Sequence, residues 1–144
     1  MNLEEYIYPG DELDLFANAQ NWKKYFSKRL KKYVKGHVLE VGAGNGGTTK
    51  LLINESVDSW HCLEPDIKLF HLLVNKIKSG QLPAKTNAIK GTINVIKDTF
   101  DTIAYIDVLE HIEDDFDEIN KAAKLLSIGG KIIVLSPAYN WLYS

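Results

Sequence analysis

The chain has one cysteine, Cys62, so no disulfide can form within it. A lone thiol inside an apolar run fits a reducing compartment, and a cytoplasmic location is expected. No apolar run approaches the roughly 18 residues needed to cross a bilayer. The N-terminus lacks the basic start and apolar stretch of a secretory leader. A basic excess is missing too: 17 Lys and Arg face 19 Asp and Glu, for a net charge of −2 and a pI of about 6.1. A nucleic-acid partner is therefore not expected. Repeats, low-complexity tracts and linkers are absent, and the 144 residues read as one domain, 1–144. Apolar residues make up 45 %, enough for a core.

Against these absences one segment is rich. Val38-Leu39-Glu40-Val41 is a short apolar strand pattern carrying one acid, and it breaks into Gly42, Gly44, Gly46 and Gly47. A helical pattern follows from about Thr48. Strand, glycine-rich turn and helix form the opening of a nucleotide-binding α/β domain, because glycine lets the backbone turn sharply and a ligand lie against it.

The rest of the chain alternates in the same way. Residues 1–10 read as an irregular arm. From Asp11 to about Val34, apolar residues such as Leu13, Phe16, Trp22, Phe26 and Leu30 recur at helical spacing, as one bent helix or two short ones. Lys23, Lys24, Lys28, Arg29, Lys31 and Lys32 crowd that segment, as a solvated face or as a surface for an acidic partner. Strands are expected at His37–Val41, Trp60–Glu64, Thr86–Lys90, Phe100–Ile106 and Lys131–Ser136. Helices are expected at Thr48–Ile53, over Ile67 to Ile77 and over Phe116 to Leu126, with a loop at Ser79, Gly80 and Pro83 and a turn at Gly129-Gly130. Strands alternating with helices imply a doubly wound, mainly parallel, Rossmann-like sheet of about five strands behind the lead-in 1–36.

Two nucleotide readings compete. Gly42, Gly44 and Gly47 satisfy G-x-G-x-x-G, and Glu64 lies about 20 residues beyond, which is the outline of a dinucleotide site. Both readings put Glu64 on ribose hydroxyls, with its side chain in an open cleft; the bland alternative is a surface acid beside Pro65. Glu40 helps to separate them. A pyrophosphate prefers the positive end of a helix, and a nearby carboxylate opposes it. S-adenosylmethionine carries a sulfonium and an ammonium instead. The bland alternative for Glu40 is a buried acid paired with backbone donors.

Three ordered strings go further: VLEVGAGNGG from Val38, CLEPD from Cys62 and YIDVLEHIEDD from Tyr105. With the lead-in ELDLFANAQNWKKYF and the ending GGKIIVLSPAYNWLYS, they resemble class I S-adenosylmethionine-dependent methyltransferases of a bacterial type 11/12-like subgroup. The resemblance implies S-adenosylmethionine as cofactor and a small-molecule acceptor, and no metal is expected. It implies that Glu40, Gly42, Gly44 and Gly46 line the methionine end, that Glu64 with Pro65 beside it holds the ribose, and that Gly91, Thr92 and Ile93 meet adenine. Asp107 and Val108, at the carboxyl edge after the fourth strand, would also contact the cofactor. Thr92 stands where many members have Asp, so adenine would rest more on backbone groups and Ile93.

His111 is a weak catalytic candidate, as a general base with a pKa near neutrality, or else a residue that shapes the loop. The acids Glu110, Glu113, Asp114, Asp115, Asp117 and Glu118 read as a solvated helix start rather than a metal site. The family's sheet ends in a hairpin beyond the fifth strand, and the chain stops at Ser144 before it. The expected consequence is an open fifth-strand edge and a homodimer through it. A nicotinamide-dependent oxidoreductase remains the rival enzyme, and a cofactor-binding module without turnover the third reading.

Overall fold

The computed structural model describes residues 9–136, with side chains from residue 19 onward. Five strands form one sheet: β1 (Gly36–Val41), β2 (Val57–Glu64), β3 (Thr86–Lys90), β4 (Phe100–Ile106) and β5 (Leu126–Leu135). All four pairings are parallel, in the order β3-β2-β1-β4-β5. The helices are α1 (Pro9–Leu30), α2 (Gly47–Leu52), α3 (Ile67–Lys78) and α4 (Asp115–Lys124), with single 3₁₀ turns at Lys31–Tyr33, Ile93–Val95 and Leu109–His111.

Parallel strands need crossovers, and these cover both faces. Alternation along β1 sends Val38 to one side and Leu39 and Val41 to the other. Val38 joins Trp60, Cys62 and Ala104 under Phe26, Leu52 and Leu73 of the helices α1, α2 and α3. Leu39 and Val41 join Leu63, Ile103 and Tyr105 under Ile93, Ile96 and Ala122. The central residues Val38, Leu39, Trp60 and Ile103 are fully buried. The chain winds outward from β1 to β3 and then crosses back to β4. The order thus reverses between β1 and β4, and open α/β sheets bind ligands outside the carboxyl ends of strands at such a point.

The doubly wound parallel sheet is the architecture the sequence predicts, with differences in detail. The lead-in forms one helix closed by a 3₁₀ turn, and Pro9 and Gly10 belong to it rather than to an arm. Residues 1–8 and 137–144, including the Pro137 stop, lie outside the described residues. Gly129-Gly130 is not a turn before the last strand. It lies within β5, where Phe100 pairs with Leu126 but Thr102 with Lys131. Two steps on β4 thus match five on β5, and the surplus bulges out at Gly129, whose φ of +77° suits glycine. Asp101 ties that bulge down: its Oδ1 accepts from Ser127 Oγ at 2.6 Å, and its Oδ2 accepts from the His37 N–H at 2.7 Å.

Candidate cofactor site

A cavity of about 270 Å³ opens at the carboxyl ends of β1 to β4. Four loops build it. Val41 and Gly42 come from the end of β1, Pro65 from the end of β2, Gly91, Thr92, Ile93 and Asn94 from the loop after β3, and Val108 and Ile112 from the loop after β4. Val41, Ile93, Val108 and Ile112 give it apolar walls, and Thr92, Asn94 and the α4 residue Glu118 give it polar edges. Pockets with this balance suit flat organic ligands.

The glycine loop is shaped by its neighbours. Gly42 has φ +71°, and a Cβ there would fall 2.6 Å from Val108 Cγ2. The β1 and β4 loops therefore touch only because this position has no side chain. Gly44 has φ +58°, and a Cβ there would meet nothing within 4 Å, so its backbone borders open space. Asn45 closes the turn by accepting the Gly47 N–H on Oδ1 at 2.9 Å, and its own carbonyl accepts from Lys76 Nζ at 2.7 Å. Gly46 caps α2.

Glu64 does not hang into an open cleft. It is 6 % exposed, and both carboxylate oxygens carry backbone partners. Oε2 accepts from the Gly44 N–H at 2.8 Å, and Oε1 from the Asp66 N–H at 3.0 Å. Parallel pairing explains the position: β2 lies beside β1, so its terminal residue meets the loop that β1 feeds.

Glu40 sits lower, in the core, 2 % exposed. Its Oε1 accepts from Thr49 Oγ1 of α2 and from Trp60 Nε1 at 3.2 Å. Burial raises its carboxyl from 4.5 to about 7, against the two hydrogen bonds that lower it, with Glu64 adding a smaller upward push. The donors that satisfy it are side chains on α2 and β2, not local backbone groups. The same burial pushes the Cys62 thiol up to about 12, so it is an inert core residue.

After β4 the chain turns sharply. Asp107 has φ +56° and donates its N–H to the Leu135 carbonyl at 2.8 Å. Desolvation raises its carboxyl above the usual range, Glu110 adds to the rise, and His111 opposes it. His111 follows on the 3₁₀ turn, with 73 % of its side chain exposed and Nε2 3.7 Å from Glu110 Oε1. It does not line the cavity. Asp114 caps α4 by accepting the Asp117 N–H at 2.9 Å, and Lys121 pairs with Asp117 at 2.8 Å. Among the described residues no group of three or more His, Cys, Asp or Glu is disposed to hold a metal.

Six of the residues nominated from the sequence thus meet at the cavity: Gly42, Pro65, Gly91, Thr92, Ile93 and Val108. Gly44 and Glu64 join them through their mutual bond, while Glu40 stands behind the loop. Sequence reasoning missed Val41, Asn94, Ile112 and Glu118. The sequence places Glu118 among the solvated acids, yet it accepts from Tyr105 OH at 2.9 Å and borders the cavity. Its place one helical turn before Ala122, on the apolar face of α4, was the available signal.

The fold is shared with known proteins. A S-adenosylmethionine-dependent methyltransferase from Clostridium acetobutylicum superposes with a TM-score of 0.67 at 20 % identity, over 85 % of this chain and 52 % of that one. The YcgJ protein from Bacillus subtilis gives 0.67 at 17 % identity, over 81 % and 50 %. The [4+2]-cyclase SpnF gives 0.67 at 13 % identity, over 77 % and 43 %. The chain spans about half the length of these structures, and likeness at such identities shows the fold alone. A comparison with curated proteins gave no match. A family model described as a methyltransferase domain matches residues 39–134, from the middle of β1 nearly to the end of β5, and takes in the glycine loop, Glu64 and the β4 loop. By that match, over two thirds of its length, the chain belongs to the methyltransferase domain family.

Proposed function

We propose that the chain is a single domain, a lead-in (1–36) on an α/β core (37–144), that binds S-adenosylmethionine in the cavity at the carboxyl ends of β1 to β4 and presents it to a small-molecule acceptor. The convergence of Gly42, Pro65, Gly91–Asn94 and Val108 on one cavity carries this reading. The residues fit the cofactor's chemistry. Apolar walls at Ile93, Val108 and Ile112 suit a flat ring, Asn94 and Thr92 offer polar edges, and Glu64 suits vicinal hydroxyls. The bare backbone at Gly44 leaves room for the amino-acid end.

When bound, the cofactor supplies a methyl group to an O, N or C nucleophile as its carbon–sulfur bond breaks. The protein's part is alignment, which contributes roughly 7 to 11 kcal/mol at its limit. Glu64 orients the ribose, and the Gly44 N–H is freed to the ligand as the carboxylate turns to it. Glu40 supports the loop from behind through Thr49 and α2, and so acts on the methionine end at one remove. Asp107 and Val108 close the acceptor side, and His111 shapes the loop they belong to. Among the described residues no helix is long and apolar enough to cross a membrane. With a single buried thiol, we place the domain in the cytoplasm.

Calorimetry with S-adenosylhomocysteine tests the reading, run beside thermal shifts with that ligand and with NADH. Ligand at 100 times its dissociation constant should stabilise the fold by about 2.7 kcal/mol. Folded protein that binds no S-adenosylhomocysteine at millimolar concentration sinks the proposal, and stabilisation by NADH alone replaces it with a nicotinamide site.

A further inference from the structure

The charges of this chain are segregated. Between Leu15 and Leu39 lie seven of the 17 Lys and Arg and none of the 19 Asp and Glu. The near-neutral total therefore hides one strongly basic segment on an acidic remainder. Within α1, Phe26 is buried and Leu30 packs against the core. Helical spacing then sends Lys24, Lys28 and Lys32 outward, one turn apart, with Arg29 beside them, and all four are exposed. Like charges four residues apart repel, so helix formation does not call for this row. Among the described residues, none of the seven bases has a carboxylate within 4.0 Å.

Aromatic rings flank this row on its Arg29 side. Trp22 is 49 % and Tyr25 52 % exposed, stacked with centroids 5.8 Å apart. The Arg29 guanidinium lies 4.8 Å above the Tyr25 ring, and a groove of about 370 Å³ runs between Tyr25, Lys28, Arg29 and Lys32. Tyr33 extends the surface, with Lys32 Nζ at 5.0 Å and Lys131 Nζ at 5.6 Å from its ring. Exposed Trp and Tyr, each with an apolar body and a polar tip, set among lysines with long stems, are the composition of a membrane-interface helix.

We propose that the outer face of α1 and the turn after it docks this domain on an anionic phospholipid surface. The lysines and Arg29 meet headgroup anions, and Trp22 and Tyr25 enter the interfacial layer. Six of the seven bases are lysines, which act as point charges rather than as the forked readers of individual phosphates. A flat anionic sheet touches the basic face alone, whereas a polyanion that wraps the domain would meet its acidic remainder. The basic segment leads into the amino end of β1, and the cavity lies at the carboxyl end. Docking thus leaves the cavity open.

The test uses the full chain with vesicles of phosphatidylcholine alone, or with about 30 mol % phosphatidylserine. Cosedimentation is expected only with the anionic vesicles, weakening as salt rises. Lys28→Glu with Arg29→Glu should lower the partition coefficient roughly tenfold or more, and Lys28→Gln with Arg29→Gln by less. Trp22→Ala should weaken it and remove a blue shift of tryptophan emission. Circular dichroism should show all variants folded, since these side chains are exposed. Equal binding to both vesicle types, or anionic binding unchanged in the charge-reversal variant, overturns the proposal. So does a single-stranded RNA oligomer that binds through these residues while vesicles do not.

Discussion

Gly44 and Glu64 lie 20 residues apart in sequence and are joined by a 2.8 Å hydrogen bond from the Gly44 N–H to Glu64 Oε2. The same carboxylate holds the Asp66 N–H on its other oxygen. One side chain at the end of β2 thus fixes the glycine loop on one side and the start of α3 on the other. An isosteric amide cannot do both, because its NH₂ would face a backbone N–H.

Glu64→Gln should therefore cost twice. Affinity for S-adenosylhomocysteine should fall by roughly 1.5 to 3 kcal/mol, the scale of hydrogen bonds to a charged group. The fold should also lose about 1 to 2 kcal/mol, from a donor left without an acceptor. Calorimetry reads the first and denaturant unfolding the second. An unchanged dissociation constant would remove Glu64 from the ribose.

Gly42→Ala and Gly44→Ala should separate packing from ligand access. Both pay about 1 to 2 kcal/mol for a left-handed backbone. Only Gly42→Ala also drives a methyl into Val108, 2.6 Å away. It should be the less stable of the two, and Val108→Ala should restore part of its loss in a double-mutant cycle. If both variants unfold at the same denaturant concentration, the two loops do not touch as described.

Glu40 gives a pH dependence with a definite sign. Its folded pKa of about 7 lies above the ordinary 4.5, so the folded state holds the proton more tightly. Its contribution is fully present below about pH 4.5 and is lost as the pH rises through 7. Relative to Glu40→Gln, which stays neutral and keeps an acceptor for Thr49 and Trp60, the protein should lose about 3 kcal/mol between pH 4.5 and 8. Parallel stability profiles for the two proteins would show that Glu40 does not titrate in this window.

The outer edge of β5 pairs with no strand among the described residues, and Val134 on that strand is 45 % exposed. We expect concentration-dependent dimers through this edge, and Val134→Lys should shift them to monomer. Light scattering from about 10 micromolar to 1 millimolar decides, since millimolar complexes are the weakest it would need to see. Monomer throughout counts against edge pairing.

Much of this was legible beforehand because strands and helices announce themselves by period. β1, β3 and β4 lie where their apolar runs put them, with glycines marking the ends of β1 and β3. The glycine loop was legible because only a bare backbone turns that way. What escaped depends on contacts between distant residues. The bulge in β5 is set by Asp101 reaching Ser127, and Gly-Gly reads the same in a bulge as in a turn. Glu64 reads as a free ligand group until β2 is laid beside β1 and its carboxylate meets the Gly44 amide. The internal partners of Glu40, Thr49 and Trp60, lie on two other elements.

Asp101 has a consequence for how the sheet moves. It is tied to the His37 N–H and to Ser127, and it fills the space that a side chain at position 36 would need. Three strands are therefore stapled together at their amino ends, while at the carboxyl ends the Gly44–Glu64 bond is one that a ligand's hydroxyls could take over. The sheet behaves like a fan fixed at its pivot. The staple favours adjustment to an incoming ligand at the rim over a change in the register of β1, β4 and β5.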